Sequence, residues 1–230
     1  MKLKKIASLM LAGVMAVSML AGCGESSSSS SSEPTNPVTP VATGIADAVN
    51  AARNDYAKNS LKLTYNESSS LAEILQTIAQ DKYGKDSDAV KTAGGADGYN
   101  GAVVVDNADS MYSKISSKLA GGAVAATGNV FNTLAEGTHK YVRIFTVGGN
   151  YSIQAAGNMI ATSATDGTPA NGRDLNGLVD TMKLENTASK PNLKASYTAD
   201  IAAVKVTSNV DSKVNAWVVA VVYTQTVAEV

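Results

Sequence analysis

One histidine, one cysteine and twenty acidic side chains are the reactive groups of this 230-residue chain. His139 carries an imidazole, which titrates near neutrality and could act as a general base. Its setting, between Gly137-Thr138 and the apolar run that begins at Lys140, is that of a loop or strand-edge residue. The pairs Asp86/Asp88 and Asp106/Asp109 could ligate calcium together with backbone oxygens, or serve as the acid and base of a glycosidase. Neither has the spacing of an EF-hand loop, and aspartates beside Gly, Ser and Asn commonly form turns and helix caps. Asp106-Asn-Ala-Asp109 directly precedes a predicted helix, where a capping role suffices. From Gly44 onward there is no Gly-x-Ser-x-Gly elbow, no Ser-x-x-Lys, no Walker loop and no dinucleotide fingerprint. Asp166-Gly-Thr-Pro-Ala-Asn-Gly172 reads as a turn cluster rather than a phosphate cradle. Nine tyrosines against two phenylalanines form an excess of amphipathic aromatics, suited to glycan or protein contact and equally to half-buried strands.

The chemistry of the lone cysteine depends on what surrounds it. Lys2, Lys4 and Lys5 precede an uncharged apolar run from Ile6 to Leu20, too short for a confident membrane span. Leu20-Ala21-Gly22-Cys23 then resembles the lipobox of bacterial lipoproteins. That resemblance implies removal of residues 1–22 as a signal peptide and a diacylglyceryl thioether on Cys23. It also implies anchorage to the extracytoplasmic face of a bacterial cell membrane. One acyl chain anchors marginally and two anchor stably. An anchored Cys23 is no nucleophile, and beyond the covalent lipid no cofactor is expected.

Removing residues 1–22 deletes three lysines and no acid, so the net charge falls from −1 to −4. That balance argues against nucleic acid or an anionic membrane surface as the electrostatic partner. Residues 23–43 contain seven consecutive serines, Ser26 to Ser32, then Pro34, Pro37 and Pro40, the composition of a tether. A flexible segment of about 20 residues has an r.m.s. reach on the order of 25 Å. Residues 44–230 suit a single extracytoplasmic domain, with a Gly-, Asp- and Lys-rich loop or insertion at Lys82 to Asn100.

Helical spacing of Ile45, Ala48, Val49, Ala52 and Tyr56 predicts a first helix over 45–58. Leu71, Ile74, Leu75, Ile78 and Ala79 predict a second over 69–82, capped by Ser70 and ended by Gly84. A short strand is expected at 101–105, and a helix at 108–119 closed by Gly121-Gly122. The β-branched and aromatic run 140–147 predicts a strand, 151–162 is ambiguous, and 172–183 predicts a helix. Two long strands, 197–207 and 214–227, close the chain. The last is apolar on both faces and belongs at the centre of a sheet. The expected fold is α+β, a three-layer α-β-α sandwich with a mainly antiparallel sheet and the C-terminal strand central.

Val49-Asn50-Ala51-Ala52-Arg53, then Leu61-Lys62-Leu63-Thr64-Tyr65-Asn66, then Leu71-Ala72 leading to Ala79, resemble the opening of the CAP superfamily, also called SCP or PR-1-like. That family opens with an Asn-x-x-Arg helix, a Leu-x-x-Leu-x-Trp-Asp link and an Ala-rich second helix. Tyr65 stands for the aromatic and Asn66 for the acid. Gly157-Asn158-Met159-Ile160-Ala161 resembles the family's Gly-Glu-Asn-hydrophobic-Ala motif, and Trp217 to Gln225 resembles its terminal strands. The resemblance implies an α-β-α sandwich with a central cleft. It makes Asn50, Arg53, Tyr65, Asn66, His139, Gly157 and Asn158 the candidate cleft residues.

Many members of that family hold a divalent metal with two histidines and two acids. This chain has one histidine, lacks the motif glutamate and has no histidine in 172–183. A two-histidine metal site within one chain is therefore not expected. These readings point to a membrane-anchored, non-catalytic binding module for wall polymer, an envelope protein or a small apolar ligand. The alternatives are a carboxylate-dependent cell-wall hydrolase and an unrelated α+β envelope lipoprotein.

Overall fold

Hydrophobic periodicity that switches between 3.6 and 2 along the chain builds helices around one open sheet. The computed structural model describes residues 38–40, 44–83, 87–91, 93, 101–132, 134–164, 174–185 and 192–230. Leu20 to Cys23, the serine tract, Gly84, Asp86 and the turn cluster Asp166 to Gly172 lie outside these residues, as does much of the stretch between Lys82 and Asn100.

In chain order the elements are β1 (Val38–Pro40), α1 (Ile45–Ala52), β2 (Tyr65–Glu67), α2 (Ser69–Tyr83), α3 (Ser87–Val90), β3 (Ala102–Val104), α4 (Ser110–Lys118), β4 (Val124–Ala125), β5 (Gly137–Gly148), α5 (Ile153–Thr162), α6 (Leu175–Val179), β6 (Leu193–Thr207) and β7 (Asn215–Glu229). The fold is mixed α+β. Its seven-stranded sheet runs β1-β6-β7-β5-β3, with β2 added parallel to β6 and β4 parallel to β5. The remaining pairings are antiparallel.

β7 lies between β6 and β5, and Ala216 through Tyr223 are all buried. Successive strand residues face opposite sides, so β7 feeds two apolar clusters. Trp217, Val219, Val221 and Tyr223 join Ile45 and Val49 of α1, Ile160 of α5 and Leu178 of α6. Ala216, Val218, Ala220 and Val222 join Leu71 and Leu75 of α2 and Met111 and Ile115 of α4. Each large aliphatic side chain so buried contributes about 1.5–3 kcal/mol relative to exposure.

Several local expectations change. The first helix stops at Ala52, not residue 58, because Arg53 turns extended at φ −57°, ψ 141°. A separate π-helical turn follows at Tyr56–Ser60. Ser68 rather than Ser70 caps α2, its Oγ accepting Leu71 N–H at 3.2 Å. The ambiguous stretch after Tyr151 is the helix α5, where Ser152 Oγ accepts Ala155 N–H at 3.1 Å. Only Leu175–Val179 of the helix expected over 172–183 is helical among the described residues. Val38–Pro40, within the stretch read as tether, pairs with Val204 to Val206 of β6. As expected, Asp109 caps α4, its carboxylate accepting Met111 N–H at 2.9 Å. Gly121 and Gly122 leave that helix at φ +80° and +69°.

Candidate functional site

Three of the residues picked out by family resemblance, Asn50, Arg53 and Tyr65, form one cluster at the end of α1. Asn50 grips the backbone of Tyr65 from both sides: its Nδ2 donates to Tyr65 O at 2.8 Å and its Oδ1 accepts Tyr65 N–H at 2.9 Å. Arg53 Nε donates to Asn50 O at 2.9 Å, and its Nη1 donates to Leu63 O. Together they fix the loop that carries Lys62, at φ +51°, into β2. Tyr65 then enters the core, where its hydroxyl meets that of Tyr223 at 3.0 Å and the two rings stand edge to face.

Gly157 serves packing. A Cβ there would lie 2.5 Å from Ala48 Cβ, so the absent side chain is what lets α5 approach α1. Asn66 and Asn158 are exposed, and His139 lies elsewhere, on β5. The structure thus joins Asn50, Arg53 and Tyr65 and sets Gly157 against the same helix. Their hydrogen-bonding groups are occupied by the fold itself.

Sequence reasoning missed a second cluster on the same sheet face. Phe131, fully buried, stands edge-on to Tyr141, Tyr197 and Tyr223 at centroid distances of 4.7, 6.0 and 6.0 Å. Gln225, also fully buried, accepts from Tyr141 Oη at 3.2 Å and donates to Tyr197 Oη at 2.8 Å. Tyr197 Oη donates onward to Lys183 O at 2.7 Å. Burial raises the pKa of Tyr65, Tyr141 and Tyr223, and pushes that of Tyr197 up to about 12, since an apolar surrounding disfavours phenolate. The signal was the period-2 spacing of Tyr223 and Gln225, together with the pairing of Tyr197 opposite Gln225.

No family model, no curated protein and no solved structure matches this chain.

Among the described residues a groove of about 420 Å³ lies between Ala120–Val124 and Thr138–Tyr141. It forms where the segment leading into β4 diverges from β5. Val124, 57% exposed, stands in its wall. Lys140 Nζ donates to Ala120 O at 2.9 Å, and His139 Nε2 donates to Ala135 O at 3.0 Å. Because a carbonyl can only accept, Nε2 carries the proton in this contact, which ties the ring to the turn before β5.

No Asp or Glu is among the groove's lining residues, so the paired carboxylates of a hydrolase do not face each other there. Asp106 and Asp109 instead accept backbone N–H groups of Ala108 and Met111, and Asp109 also pairs with Lys82. Asp88 pairs with Lys91 at 3.5 Å. Among the described residues no group of three or more His, Cys, Asp or Glu could hold a metal ion, and no helix is long and apolar enough to cross a membrane.

Proposed function

We propose that residues 44–230 form a non-catalytic, CAP-like binding module, held at the outer face of a bacterial membrane by the lipid on Cys23. Its binding surface is the groove between Ala120–Val124 and Thr138–Tyr141. The observation that carries this reading is where the open volume lies: Asn50 and Arg53 spend their polar groups on the packed loop into β2, whereas Thr138, His139, Lys140 and exposed Val124 line a groove. The α-β-α layering belongs to the same proposal, supported by α1, α5 and α6 packing with one apolar cluster and α2 and α4 with the other. The lining is mixed, with Thr138, His139 and Lys140 facing Ala120, Ala123 and Val124 in a groove open to solvent, which suits a wall polymer or an envelope protein.

The test is co-sedimentation with purified cell walls alongside capture from envelope extract, comparing the parent chain with Lys140→Glu and Val124→Asp. Binding is expected to fall at least tenfold in both variants. Undiminished binding in both would rule the groove out.

A further inference from the structure

Resting on the reading of Cys23 as a lipid anchor, we infer that β1 is a strap that turns the β6–β7 hairpin, Ser208 to Val214, toward the bilayer. There the hairpin meets a zwitterionic headgroup layer, and the groove faces away from it. The direction in which the chain enters β1 carries the argument. Val38 lies opposite Val206 and Pro40 opposite Val204, antiparallel, so the chain comes into the sheet from the end where β6 turns into β7. The groove lies along the other half of the same strands. Lys140 is opposite Thr224 and Thr224 is opposite Thr198, eight residues along β6 from Val206, a distance of about 27 Å.

Fifteen residues, Cys23 to Pro37, separate the lipid from β1. A flexible segment of that length has an r.m.s. reach of roughly 20 Å. With the hairpin toward the bilayer that reach is ample. With the groove toward the bilayer the same segment would have to run back along the sheet, stretched beyond its r.m.s. length.

The make-up of the hairpin suits contact with lipid. Val210 at its tip is 73% exposed. The polar groups around it are spent within the turn: Ser208 Oγ accepts the N–H groups of Val210 and Asp211 at 3.2 and 3.3 Å, and the Asp211 carboxylate accepts Lys213 N–H at 2.9 Å. Val214 N–H donates to Asp211 O at 2.9 Å. Main-chain donors already paired cost little to bring against an apolar surface. Asp211 and Lys213 leave the turn neutral, which matches a zwitterionic rather than an anionic surface. Val124 and Val230 are exposed too, but both lie with the groove half of the sheet, away from the entry of the chain. One valine holds lipid weakly, and the anchor keeps it there at high effective concentration.

Once Cys23 carries its lipid, an introduced cysteine is the sole thiol of the processed chain, so a bimane fluorophore can be placed at one position at a time. Ser212→Cys labels the hairpin beside Val210, and Val124→Cys labels the groove wall; both positions are exposed. In phosphatidylcholine vesicles carrying a headgroup spin label, quenching of the full lipidated chain should be at least threefold stronger at 212 than at 124. Val210→Asp should at least halve the quenching at 212. Val38→Pro with Thr39→Pro leaves β1 without an N–H, since Pro40 has none, and should bring the two positions to equal quenching while the circular dichroism stays that of the parent.

Equal quenching at 212 and 124 in the parent chain, or stronger quenching at 124, would overturn the inference and leave the lipid anchor standing. A preference for 212 that survives the two prolines would overturn β1 as the strap. A chain that does not stay with the vesicles, and whose Cys23 carries no lipid by mass spectrometry, would take the anchor reading and this inference down together.

Discussion

The aromatic cluster around Phe131 and the groove beside β5 share Tyr141, yet they treat polar groups in opposite ways. In the cluster the hydroxyls of Tyr65 and Tyr223 meet each other, and those of Tyr141 and Tyr197 meet Gln225. Just before Tyr141 on β5, Thr138, His139 and Lys140 line an open groove. The lesson is that functional-looking residue types do not mark the open surface here. Tyrosine, glutamine, asparagine and arginine have been drawn into holding strands and loops in place.

The largest effect should come from breaking the closed region. Phe131→Ala removes the ring against which three tyrosines pack and should cost about 3–5 kcal/mol. Urea denaturation measures this, and a loss below about 1 kcal/mol would mean the cluster is not the packed unit described. Groove binding, measured where the variant is still folded, should persist.

Asn50→Ala should cost about 2 kcal/mol, because it strands the N–H and C=O of Tyr65 at the start of β2. Its partner-binding affinity should stay within twofold of the parent. A variant that instead kept its stability and lost binding would return Asn50 to the list of cleft residues and erase the contrast between the two regions.

Alkaline pH probes the closed region without mutation. Tyr65, Tyr83, Tyr197 and Tyr223 have folded-state pKa values raised by burial above the ordinary value near 10. The folded chain keeps these protons while the unfolded chain loses them. Their contribution is therefore complete below pH 10 and is lost as pH rises through the folded-state values. Stability should decline from about pH 10 upward, and tyrosinate absorbance of these rings should appear together with unfolding. Smooth ionisation of all nine tyrosines without unfolding would contradict their burial.

How much of this was legible follows from the range of the forces involved. β5 and β7 announced themselves because Val, Ile and Tyr runs bounded by Gly or Asn are local signals. The central place of β7 followed from apolar residues on both its faces. The end of α1 was not legible, since Asn54 is drawn out of helix by Asn176, 122 residues away, whose Oδ1 accepts the Asn54 N–H at 3.0 Å. α5 was obscured by Gly157, a poor helix former that is present for the approach to Ala48. Asn50, Arg53 and Tyr65 were found as a group, but their task is to bind backbone, which residue identity does not disclose. His139, read as a loop or strand-edge residue before 140–147, lies within β5, which already begins at Gly137. The groove beside it was invisible because it depends on where β4 stops pairing.

The smallest expected effect on stability is the sharpest test of the open region. Val124 is 57% exposed and stands in the groove wall, so Val124→Asp removes little buried surface and should change stability by no more than about 0.5 kcal/mol. The same substitution puts a carboxylate where the lining now has none. It should cut groove binding at least tenfold, and do so less at high salt if the partner is anionic, since exposed charges are screened there. Isothermal titration at two ionic strengths, with a melting curve on the same sample, separates these outcomes. A large stability loss would show that the wall of the groove is itself part of the packed core, and the division between a closed face and an open edge would have to be redrawn along β4.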